Sequence, residues 1–233
     1  MTKPAPKAIR RAGSFLEGPL ALRALESYSS GRYTGSWFES AGRPSDPATG
    51  VPVDPSPSRF SIEDLLSLAL LDVGLEPKTM IGLLDRNAEI ASLLGRIDPS
   101  LSLADAPDPR EESEGPWVPA TQLWKVLRSV PQVGRTRASK LMARKRPHLI
   151  PIFDRHVAEG LGLTKHDNDW LIVQQVVRAH DQRLAELLFE LQAIHPGEGR
   201  SRGLSRLRIL DIVIWMRVHG ARQSDPDLLL ELD

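Results

Sequence analysis

The sequence predicts an all-α fold, and three observations carry that prediction. Apolar residues recur at three- and four-residue spacing in segment after segment, the period of a helix face. Beyond short apolar runs such as 149–153, no stretch alternates with period two for long. Proline, glycine and capping residues fall between the periodic segments, where helices start and stop. A chain of 233 residues, 41% hydrophobic and 26% charged, is long enough for one large domain or two small lobes around their own cores.

Taken in order, residues 1–13 read as a flexible tail, rich in basic residues and alanine. A short helix is predicted over 16–28, entered or interrupted at Pro19. Residues 42–57 hold five prolines with Gly, Ser and Asp and read as a loop, so 14–58 forms an N-terminal helix and proline-rich loop. Ser61 followed by Asp64 resembles a capping box and opens a buried helix over 62–73. Pro77 suits the first turn of the next helix, whose apolar residues run from Met80 to Leu94. A polar loop over 98–119 closes this helical lobe, 59–115. Further helices are predicted at 120–130, 135–144, 154–160, 169–180, 182–193 and 204–218, within a C-terminal region of 116–233.

Composition excludes several chemistries. There is no cysteine, which removes disulfides, thiol nucleophiles, cysteine-ligated zinc and cysteine-held iron–sulfur clusters. The histidines show no metal-ligand spacing, and no phosphate-cradling GxxxxGK[ST] loop or GxSxG elbow occurs, so no metal and no cofactor is expected. The longest apolar runs are too short to span a bilayer and no apolar segment follows the basic N-terminus, so a cytoplasmic location without membrane contact is expected.

Formal net charge is zero, but its distribution is uneven. No acidic residue occurs over 115–153, while Lys125, Arg128, Arg135, Arg137, Lys140, Arg144, Lys145 and Arg146 lie there; Arg200, Arg202, Arg206 and Arg208 follow. Such clusters suit a nucleic-acid-binding face, or a solvated surface paired with the acidic segment 98–114. Arg144, Lys145 and Arg146 either meet phosphate or favour the C-terminal dipole of their helix.

Val130-Pro131-Gln132-Val133-Gly134 reads as a tight turn between two helices. Its backbone amides and the following helix N-terminus suit a phosphate, and Arg135 and Arg137, unfavourable for that dipole, then have an external partner. This turn resembles the hairpin of the helix-hairpin-helix DNA glycosylases, the superfamily of endonuclease III. Ile152-Phe153-Asp154-Arg155-His156-Val157, whose Asp154 lies twenty residues after Gly134, resembles the segment that carries their catalytic aspartate. The strings around Met142–Pro147 and Ile150–Arg155 also resemble an uncharacterised actinobacterial protein family.

The resemblance implies a two-lobed helical fold and a DNA N-glycosylase that acts on a base flipped out of double-stranded DNA. Asp154 would stabilise the cation that develops on the sugar and activate water, with His156 orienting the helix start. Gln132, Val133, Gly134, Arg135, Thr136, Arg137 and Lys140 would bind the DNA backbone. Bifunctional members carry a Schiff-base lysine at the position of Thr136, so a monofunctional enzyme is implied; Lys140, one turn further on, lies on the same face. Tyr33, Trp37 and Phe38, with Glu39, can line a base pocket or plug a core. Trp124 and Trp215 fall in apolar stripes and read as core, and Asp154 also reads as a helix N-cap. The alternatives are a non-catalytic DNA-binding protein with the same hairpin and an all-α protein-interaction module.

Overall fold

The computed structural model describes residues 5–110, 115–164, 169–195, 201 and 203–223. Among these are ten α-helices and no β-strand. They are α1 (Ala5–Leu16), α2 (Pro19–Ser27), α3 (Ile62–Ser67), α4 (Pro77–Leu84), α5 (Asn87–Leu94), α6 (Trp117–Ser129), α7 (Arg135–Lys145), α8 (Arg155–Leu161), α9 (Asp169–Ile194) and α10 (Arg206–Gln223).

Residues 5–13 are not a tail. They are the first turns of α1, whose Ala5, Ala8, Ala12 and Leu16 form one buried face against α8, α9 and α10. Small side chains bring the backbones close, and Arg11 donates to the Gly160 and Glu159 carbonyls at 2.6 and 3.0 Å. Arg11 thus supplies donors to the C-terminal end of α8. The basic residues interleaved with the alanines are what made the segment read as a tail.

Local signals hold elsewhere. Pro19 opens α2, and the Ser61–Asp64 capping box forms with both reciprocal bonds. The helix predicted over 62–73 tightens after Ser67 into a 3₁₀ turn (Leu68–Leu71) and stops at Asp72 in the left-handed region. The helices predicted at 169–180 and 182–193 are the two arms of α9, which meet at a kink where His180 leaves helical geometry (φ −120°, ψ 17°), its ring Nε2 2.9 Å from the Ile9 carbonyl.

Helices α1, α2, α8, α9 and α10 pack on one another, and α3, α5, α6 and α7 form a second group. The C-terminal region 116–233 is therefore split: α6 and α7 join the middle of the chain, whereas α8–α10 join its start. In the first group Gly160 lets α8 sit against Ile214 of α10, where a Cβ would collide with the branched Ile214 side chain. Gly160→Ala is expected to destabilise the fold by about 1–3 kcal/mol, outweighing a helix-propensity gain of about 1 kcal/mol. A lowered urea midpoint with unchanged slope is the expected readout.

The C-terminal end of α7 anchors the proline-rich loop. Arg144 donates from Nε to Asp64 Oδ1 at 3.0 Å and from its other nitrogens to the Phe38 and Ala41 carbonyls. Lys145 Nζ donates to Asp54 Oδ2 (2.9 Å) and the Ser56 carbonyl (3.0 Å) and also pairs with Asp64. Arg146 donates to the carbonyls of Leu94, Ile97 and Pro57. All three cations are buried, so they meet neither an external phosphate nor the helix dipole alone. A proline-rich loop is short of backbone donors, and Lys145 and Arg146 satisfy its Ser56 and Pro57 carbonyls.

Candidate functional site

A cavity of about 510 Å³ opens between the two helix groups, within the range typical of small-molecule sites. Its walls come from five places in the chain: 28–35, the 3₁₀ turn through Val73, Thr136 and Lys140 of α7, 152–156, and α10 from Arg208 to His219.

Asp154 stands on this wall. It is also the N-cap of α8, its Oδ1 accepting from the Val157 amide at 2.9 Å, so the capping and functional readings hold together. Lys140 is only 4% exposed and faces the same cavity, its Nζ donating to the Leu71 carbonyl at 3.0 Å. Burial pulls its pKa down to about 8, with Arg208 acting in the same sense and Asp154 and Asp72 opposing. A lysine so placed does not grip a DNA phosphate outside; it is an interior amine, partly neutral near neutral pH.

Behind them lies a buried ionic cluster. Arg208 donates from Nε to Glu39 Oε1 at 2.7 Å, from Nη2 to the Tyr28 hydroxyl at 2.5 Å, and to Asp211. Burial raises the pKa of Tyr28 well above the ordinary phenol range, with Arg208 opposing, so the hydroxyl keeps its proton. The aromatic wall is Tyr33 and Trp215, edge to face at 5.8 Å, with His219 stacked on Trp215 at 4.4 Å. His156 sits edge-on to Trp215.

Of the three residues expected at a base pocket, Tyr33 alone lines this cavity. Trp37 is 47% exposed and outside it, and Phe38 is core, with Arg144 and Arg208 over its ring. Periodicity placed Trp215 in the core and was silent on Tyr28, Asp211 and His219. An apolar stripe looks the same in sequence whether it faces packed side chains or a cavity.

The hairpin forms as expected, with Gln132 in the left-handed conformation at φ 66°. Its amides are turned inward, however: Val133 N–H donates to the Val130 carbonyl and Gly134 N–H to that of Gln132, both at 3.1 Å. Gln132 Nε2 binds Glu76, and Val133 is buried. Arg137 braces the turn through the Gln132 and Gly74 carbonyls at 2.7 and 3.0 Å. Arg135 pairs with Asp169 and lies over the Phe153 ring, while Thr136 lines the cavity. Much of the basic run over 125–146 is therefore engaged inside the molecule. Lys125 and Arg128 on α6, and Arg155 at the cavity wall, remain exposed. In the second cluster Arg208 is buried and Arg206 pairs with Asp181; Arg200 and Arg202 lie outside the described residues.

Among the described residues no cluster of three or more His, Asp or Glu side chains can hold a metal ion, and no helix is long and apolar enough to cross a membrane. Fold and cavity together define an all-α protein with a large polar and aromatic site between two helix groups. The chain belongs to DUF6308, a family of unknown function whose model matches residues 21–218. No curated protein and no solved structure matches it.

Proposed function

We propose that this chain is a DNA N-glycosylase whose cavity receives a base turned out of the duplex. The observation that carries the reading is Asp154 on the wall of a 510 Å³ cavity with Tyr33 and Trp215 beside it, downstream of the hairpin. A carboxylate there stabilises positive charge developing at C1′ as the bond to the base breaks, and it can activate water. The aromatic faces suit a planar ring. The α7 N-terminus without a side-chain cap and exposed Lys125, Arg128 and Arg155 support contact with DNA, whereas the amides of Val133 and Gly134 in the hairpin are spent within the turn.

The test is binding to duplex DNA that holds a cationic abasic-site mimic, against a neutral abasic mimic and intact duplex. A clear preference for the cation is the expected result, because an enzyme binds the charge of its transition state. Equal affinity for all three would leave a DNA-binding module with Asp154 as a cap, and weak salt dependence or no binding would favour a protein-interaction module.

Lys140 supports a second route, in which its amine takes the place of water. The neutral nitrogen bonds to C1′ and the bond to the base breaks. The base leaves with the electron pair and takes up a proton, and the new ammonium loses one. Opening of the sugar ring, in which the nitrogen lone pair displaces O4′ from C1′ and O4′ takes up a proton from solvent, then gives a protonated imine. Borohydride, which delivers hydride to that imine, is expected to crosslink the wild-type protein to DNA and not Lys140→Gln. Crosslinking is expected to rise with pH through about 8, as the amine loses its proton. An equal yield from both proteins rejects this route and leaves hydrolysis by water.

A further inference from the structure

We propose that Tyr28 is a specificity-determining hydrogen-bond donor, and that the cavity selects a base presenting an oxo group over its amino counterpart. The inference rests on the nucleobase reading of the cavity and goes on to name the class of base.

The argument starts from hydrogen-bond bookkeeping. The Tyr28 hydroxyl meets the Arg208 guanidinium, at 2.5 Å. A guanidinium only donates, so the hydroxyl oxygen accepts there and its own proton is directed elsewhere. Tyr28 is buried and lines the cavity, and among the described residues no acceptor receives that proton. A buried donor without an acceptor is costly, and a ligand acceptor in the cavity relieves the cost.

The surroundings fix the preference. Arg208 behind the hydroxyl polarises it toward donation, and burial keeps it protonated. Lys140, on the same cavity, brings further N–H donors beyond the one spent on Leu71. A carbonyl oxygen on the ligand ring accepts from such groups. An amino group at the same ring position brings a further donor toward them. Gly35 leaves room for the Tyr28 hydroxyl itself, with which a Cβ at that position would collide. Tyr33, stacked nearly parallel to Tyr28 with ring centroids 6.1 Å apart, holds the ring in place.

The probes are two pairs of free bases, uracil with cytosine and hypoxanthine with adenine, titrated into the whole protein by calorimetry or ligand-observed NMR. In wild type the oxo member of each pair is expected to bind about tenfold more tightly, the worth of one well-made hydrogen bond at a buried site. Tyr28→Phe, which keeps the ring, is expected to bring that ratio close to one by weakening the oxo member. Gly35→Ala, which crowds the hydroxyl without removing it, is expected to act in the same direction. The wild-type ratio is read without any variant, so a folding defect in either one leaves the test intact. Equal affinity within both pairs, or a ratio that Tyr28→Phe leaves unchanged, overturns the inference while the cavity remains a base site. Failure of every base to bind at millimolar concentration overturns the nucleobase reading and this inference with it.

Discussion

Asp154→Asn is expected to erase the preference for a cationic abasic mimic and, with a duplex whose base is released, to slow single-turnover release by about 10²–10³-fold. The substitution separates two roles that one side chain fills. As the N-cap of α8, Asp154 needs only an acceptor for the Val157 amide, and an asparagine oxygen provides one. Asn and Asp are close to equal as caps, so the melting temperature is expected to stay nearly constant. As a cation stabiliser, Asp154 needs its charge, which asparagine lacks. Asp154→Ala removes both and is expected to cost about 1 kcal/mol of stability besides the activity. A catalytically unaltered Asn variant would reduce Asp154 to its capping role.

The largest expected effect on stability is at Asp64. Asp64→Ala leaves the buried Arg144 and Lys145 facing each other without the carboxylate between them. Breaking a buried pair in this way costs about 3–5 kcal/mol, a fall in Tm of roughly 10 °C for a chain of this size. The pH dependence has a definite sign. Burial raises the Asp64 pKa, but hydrogen bonds from Lys145 and the Ser61 amide and the charge of Lys145 outweigh it and hold it below the ordinary carboxylate value. The stabilisation is therefore complete above that ordinary value and is lost as pH falls through the lower folded-state one. Melting curves of wild type and Asp64→Asn from pH 7 to pH 3 are expected to converge toward the acid end. A constant gap in Tm across that range would contradict this assignment.

What could be read from the sequence was set by how local the signals are. The capping box at Ser61, Pro77 at the start of α4, the turn at Gln132 and Asp154 ahead of α8 each fix a boundary through neighbours a few residues away, and each is found. The basic run failed as a surface signal because burial is decided by distant partners. Asp54 and Asp64, which receive Lys145 and Arg144, lie 80 or more residues upstream. Lys140 turns inward for the same reason, since the carbonyl it meets belongs to Leu71. Helix α1 was legible in principle, since Ala5, Ala8, Ala12 and Leu16 recur at helical spacing among polar and basic residues, but alanine is a weak core signal on its own and the segment read as a tail. Spacing within α7 did put Thr136 and Lys140 on one face, and both line the cavity.

The pairing of α1 and α2 with α8–α10 bears on the order in which the molecule assembles during synthesis. The first two helices leave the ribosome long before the surfaces that cover them, because α10 begins only at Arg206. The middle group, α3 with α5–α7, completes its own contacts earlier and has a route to consolidate as a unit. The alanine face of α1 then waits for the last helices of the chain. The cavity needs Lys140 from one group and Trp215 from the other, so it exists only once both groups are in place.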